Sequence, residues 1–98
     1  MKLSVAQSAI IDLQQIHQYY SELGVPQVGR EFITKILSAT ERLLDHPDSG
    51  RKVPEYNQEQ LREIILPPYR IVYLREIETV SLIRVWRSER LLVLPQID

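Results

Sequence analysis

Ninety-eight residues, 44% of them hydrophobic, suffice for one domain with a single modest core. The absence of cysteine excludes disulfides and thiolate zinc sites. A formal charge of −1 argues against a dedicated nucleic-acid binder, which needs a strong excess of Lys and Arg to neutralise phosphates. The charge is unevenly spread, however. Residues 1–50 hold four basic side chains against six acidic ones, and residues 51–98 hold eight against seven. Any RNA or DNA contact therefore has to rest on a local patch. No basic-then-apolar leader opens the sequence and no apolar run reaches the roughly 20 residues that span a bilayer, so a cytoplasmic protein with no membrane partner is expected.

In chain order, "KLSV" suits a short strand ending near Ala6. From Gln7 the spacing turns helical, with Ala9, Ile10, Leu13, Ile16, Tyr20 and Leu23 recurring at three- and four-residue steps. Gly24 is the natural stop, and Pro26 fits the first turn of a second helix. That helix carries Phe32, Ile33, Ile36, Ala39, Leu43 and Leu44 on one side and is expected to end at His46, before Pro47. The two helices read as an antiparallel hairpin. The stretch "HPDSGRKVPEYNQEQ" is polar, rich in turn formers, and reads as loop. "LREIIL", "YRIVYLRE" and "TVSLIRVWRS" then follow as three β-prone runs whose short connections imply antiparallel pairing. The expected fold is a single α+β domain over residues 1–98, β-α-α-β-β-β, with the helical hairpin packed on a small, mainly antiparallel sheet. The apolar tail "LLVLPQID" either packs on this domain or meets a partner.

Several short elements in this order resemble one family. They are Ala9, Asp12-Leu13 and Ile16, then Tyr20 and Gly24, then Phe32 and Ile36, Leu44 and Pro47. "GRKVPE", Arg62-Glu63, "YRIVY" and "VWRSERLL" complete the pattern. Together they resemble the ParE/RelE superfamily of bacterial toxins from type II toxin–antitoxin modules, and the ParE branch most closely. The resemblance implies a compact toxin held inactive by a ParD-like antitoxin, whose C-terminal segment wraps the hairpin and sheet. Promoter DNA would be met only through that antitoxin, in a hetero-oligomer of the kind that stabilises plasmids. ParE-like members act on DNA gyrase; RelE-like members cut mRNA in the ribosomal A site.

The RelE chemistry needs a group to take a 2′-hydroxyl proton, one to protonate the leaving oxygen, and cations around the phosphate. By resemblance, Arg70 and Arg90 match basic positions of that branch, and Lys52 and Tyr69 are the accessory residues it would use. After Arg90, though, there is no Tyr, His, Lys or Arg, so the acid–base partner is missing. His17 and His46 lie far from the arginines in sequence, and nothing forms a zinc signature. The ParE reading therefore leads, with no catalytic residues, no cofactor and no metal expected. The alternatives are an mRNA endonuclease and a non-toxic homologue that only binds its antitoxin. Under the leading reading the target contact falls on Trp86, Arg87, Arg90, Leu91 and Leu92. The antitoxin contact falls on Ile10, Leu13, Tyr20, Phe32, Ile36 and Arg70.

Alternation places Arg70, Val72 and Leu74 on one strand face, and Val80, Leu82, Arg84 and Trp86 together on one face of the last strand. Apolar residues stand on both faces, so one side packs on the helices and the other is partly covered. An internal ion pair joining Arg62 or Arg70 with Glu63 or Glu55 is the ordinary structural account of these arginines. Asp12, Glu22, Glu31 and Glu41 read as a solvated helix face.

Overall fold

A computed structural model describes residues 1–88 as β1 (Lys2–Val5), α1 (Gln7–Glu22), α2 (Pro26–Arg42), β2 (Arg51–Lys52), β3 (Leu61–Leu66), β4 (Tyr69–Arg75) and β5 (Thr79–Arg87). The strand order is β1-β5-β4-β3-β2. Strands β2 to β5 pair antiparallel in sequence, while β1 joins the far edge parallel to β5. The helical hairpin crosses from β1 at one edge to β2 at the other, and the antiparallel strands then return across the sheet until β5 lies beside β1. The α+β fold is as expected, with one strand more. Strand β2 lies inside the stretch that reads as loop, because Arg51 and Lys52 are both exposed and carry no apolar alternation.

Gly24 adopts φ +80° and ends α1, and Pro26 opens α2. The hairpin closes tightly at Gly29, where an added Cβ would lie 3.2 Å from the Tyr20 Cβ. Helix α2 stops at Arg42 rather than His46. Leu43 and Leu44 instead donate to Thr40 and Glu41, three residues back. This tightening lets Leu43 tuck against Tyr73 and Val80.

The sheet buries both faces. Ala9, Ile16, Ile36 and Ala39 of the helices meet Tyr69, Ile71, Leu82 and Val85. On the opposite face Val53 and Leu61 meet Val72 and Ile83, with Leu74 and Trp86 packed alongside. Strict alternation fails in β5, because Val72 pairs Arg84 while Tyr73 pairs Leu82, leaving Ile83 as the extra residue of a bulge. Leu82 therefore faces the helices and Trp86 the other side, although simple alternation puts them together.

Tyr73 ties the segment before β2 to the sheet. Its buried hydroxyl donates to the Pro47 carbonyl (2.7 Å) and accepts from the Gly50 N–H (3.0 Å). Only glycine fits there, since a Cβ on Gly50 would lie 2.6 Å from that hydroxyl and 2.7 Å from the Glu63 carbonyl. Tyr73→Phe would leave both backbone groups without a partner, an expected loss of about 1–3 kcal/mol. Urea denaturation with an unchanged slope would measure it, and an unchanged midpoint would contradict it.

Candidate functional site

Strand β1 pairs β5 only as far as Leu82, so from Ile83 onward this edge of β5 has no neighbouring strand among the described residues. The first turns of α1 take that place. The Ser8 hydroxyl donates to the Ile83 carbonyl (2.6 Å), and the Asp12 carboxylate accepts from the Val85 N–H (2.9 Å). The same carboxylate holds Arg84 by two bonds, Nε to Oδ2 at 2.8 Å and Nη2 to Oδ1 at 3.0 Å. Arg84 in turn lies over the Trp86 ring, 4.4 Å from its centroid. Asp12 is 6% exposed, which overturns its reading as part of a solvated helix face. A carboxylate buried to that degree needs charge-assisted partners, and β5 provides three donors.

Between this edge and α1 lies a cleft of about 320 Å³, lined by Asp12, Gln15, Ile16 and Tyr19 on one side and Tyr69, Arg84, Val85, Trp86 and Arg87 on the other. Four rings run from one wall of it to the other. Tyr19 meets Tyr20 edge-on at 5.0 Å, Tyr20 stacks on Phe32 at 5.5 Å, and Phe32 meets Tyr69 edge-on at 5.3 Å. The chain of rings joins the exposed Tyr19 to the sheet.

Of the expected target contacts, Trp86 and Arg87 are half-buried walls of this cleft. Arg90, Leu91, Leu92 and the rest of the tail lie outside the described residues. The six expected antitoxin contacts do not share one surface. Ile10 is exposed, and Leu13, Tyr20 and Phe32 are half-buried, whereas Ile36 is 0% exposed. Arg70 is 6% exposed and lies with Glu63 on the sheet face away from the helices. The exposed large apolar side chains of α1 and its C-cap are Ile10, Ile11, Tyr19 and Leu23, at 37%, 43%, 50% and 59% exposure. Sequence reasoning missed Ile11 and Tyr19 by centring the stripe one residue away.

The Arg70 guanidinium is saturated by carboxylates, as the ion-pair account anticipates. It holds Glu63 through Nε (2.7 Å) and Nη2 (2.6 Å), and Glu55 through Nη1 (2.7 Å) and Nη2 (2.8 Å). Arg51 takes the remaining Glu63 oxygen at 2.7 Å. Two arginines and two glutamates thus cancel, and the hydrogen bonding of Arg70 to the Glu55 carboxylate is the largest influence keeping Arg70 charged. Arg62 binds elsewhere, to Glu59 at 2.8 Å and to the Gly50 carbonyl at 2.9 Å. Lys52 pairs with Glu59 on the surface at 2.9 Å, and its hydrogen bond holds the Glu59 carboxyl below the usual range. Among the described residues, no group of three or more His, Cys, Asp or Glu side chains could hold a metal.

Tyr69 is buried, and its hydroxyl donates to the Tyr20 hydroxyl at 3.4 Å. Burial first, and then Tyr20, push Tyr69 well above the usual tyrosine value; burial also raises Tyr73. Both folded-state values lie above the unfolded ones. Their contribution to stability is therefore complete below about pH 10 and declines as pH rises through the folded values. Tyr69→Phe should flatten that alkaline decline while changing stability at pH 7 by less than about 1 kcal/mol. Urea midpoints at neutral and alkaline pH test this; an unaltered alkaline slope would contradict it.

The protein-family model described as ParE toxin of the type II toxin–antitoxin system, parDE, matches residues 3–92. Among solved structures, a chain of the chromosomal ParDE TA system from P. aeruginosa superimposes with a TM-score of 0.73 at 22% identity, covering 91% of this chain and 97% of that one. At that identity the likeness speaks for the fold. No curated protein matches.

Proposed function

The chain belongs to the ParE toxin family of type II toxin–antitoxin systems, and on that premise we propose that it inhibits DNA gyrase through a protein–protein contact and is neutralised by a ParD-like antitoxin. The contact surface is the end of β5, with Trp86 and Arg87 at the cleft and Arg90, Leu91 and Leu92 beyond. Toxin and antitoxin form a hetero-oligomer in the cytoplasm, and promoter DNA is reached only through the antitoxin. No described helix is long and apolar enough to cross a membrane.

The observation that carries this reading over mRNA cleavage is the closure of Arg70. Its charge is cancelled by Glu55 and Glu63, so it has little left for a phosphate. Tyr69 is buried with its proton held firmly, and Lys52 is engaged by Glu59. A protein contact, by contrast, favours an aromatic residue beside arginine, as at Trp86 and Arg87. The wetted α1 side chains Ile11, Tyr19 and Leu23 suit the apolar face of an antitoxin helix.

A DNA supercoiling assay with purified gyrase and toxin released from its antitoxin tests the proposal. Lost supercoiling with accumulating cleaved DNA is expected. Full gyrase activity at toxin excess overturns it, and cleavage of mRNA on ribosomes, weakening steeply with salt, would install the nuclease in its place.

A further inference from the structure

We infer that Asp12 and Arg84 are positioning residues for Trp86, holding its indole as the rigid wall of the cleft that the target protein meets. The functional half of this inference rests on the gyrase reading; the orientation of the ring does not.

The geometry forms a chain of constraints that begins at the backbone. Val85 N–H donates to Asp12 Oδ2 and so pins the carboxylate to β5. The pinned carboxylate then accepts Arg84 through two of its nitrogens, which fixes the plane of the guanidinium as well as its place. Arg84 and Trp86 stand two residues apart on one strand past the bulge, and the fixed plane covers the indole at 4.4 Å. Each link removes rotational freedom from the next.

Stability alone does not account for this arrangement. Asp12 shares the buried side of α1 with Ala9 and Ile16, where an apolar residue would pack without any charge to desolvate. A buried ion pair is often no more stabilising than hydrophobic residues of similar volume, and its better-attested role is to fix one arrangement among several. The Val85 N–H needs only a neutral acceptor. The charge on Asp12 is needed for the fork to Arg84, and the fork is what orients the ring.

Trp86 is the only tryptophan, so its fluorescence reports on this ring alone. Asp12→Asn keeps an acceptor for Val85 and loses the charge; Arg84→Lys keeps the charge and loses the planar fork. Free toxin carrying either change should retain its far-UV circular dichroism and its antitoxin binding. Acrylamide quenching of Trp86 should rise about two- to fivefold, the factor a partly exposed cation–π contact commands, and the toxin concentration for half-inhibition of gyrase should rise at least as much. Quenching like that of the wild type in either variant overturns the inference. Raised quenching with unchanged gyrase inhibition overturns its functional half. If wild-type toxin leaves gyrase active, the gyrase reading fails, and quenching alone then decides whether the two residues position the ring.

Discussion

Arg70→Ala is expected to cost about 3–5 kcal/mol of folding stability, because it leaves Glu63, which is 1% exposed, with only Arg51 as a cation among the described residues. A domain of this size holds only about 5–15 kcal/mol in total, so much of the margin is lost. Glu55 loses its two bonds from Arg70 at the same time, which weakens the hold on the segment that carries Val53 over the second core. Arg70→Lys should recover only part of the loss, since an ammonium cannot satisfy two carboxylates with the fork that Arg70 uses. Urea denaturation of both variants measures the effect. At temperatures where Arg70→Ala is still folded, its gyrase inhibition should match that of the wild type. An unchanged urea midpoint, or inhibition lost from folded protein, would return Arg70 to the list of contact or catalytic residues.

The largest functional effect is expected at Trp86. Trp86→Ala should raise the half-inhibitory concentration for gyrase by about 30-fold or more, the scale of an interface hot spot of about 2 kcal/mol. Removing the indole also takes apolar area from the second core, so the variant should lose some stability as well. Trp86→Phe separates the two effects, because it restores most of the packing while narrowing the surface that Arg84 covers. Supercoiling titrations beside urea curves resolve them. Inhibition by Trp86→Ala equal to the wild type would move the effector surface away from the cleft, toward Arg90, Leu91 and Leu92.

Much of the fold was legible because its signals are local. Gly24 and Pro26 mark the hairpin turn, and the β-prone runs from Leu61 onward are separated by short connections. An ion pair of Arg62 or Arg70 with Glu63 or Glu55 was legible as a type of contact, but that Arg70 takes both glutamates while Arg62 binds Glu59 was not. What escaped depends on geometry that appears only once the sheet exists. Strand β2 is two exposed residues with no pattern to detect. The bulge at Ile83 reverses the alternation on which the face assignment of Leu82 and Trp86 rested. Asp12 was misread because charge usually means solvent. Its spacing held the better signal, three residues after Ala9 and four before Ile16, on the buried side of the helix.

The pairing of β1 with β5 also dictates when the cleft becomes complete. Lys2 pairs with Thr79, and the bonds from Ser8 to Ile83 and from Asp12 to Val85 span 75 and 73 residues. A chain emerging from the ribosome N-terminus first can form the helical hairpin early, but Ser8 and Asp12 have nothing to bind until the last strand arrives. The α1 wall of the cleft is made first, and the β5 wall only 73 to 75 residues later. A prematurely terminated product would carry the hairpin and lack the cleft altogether.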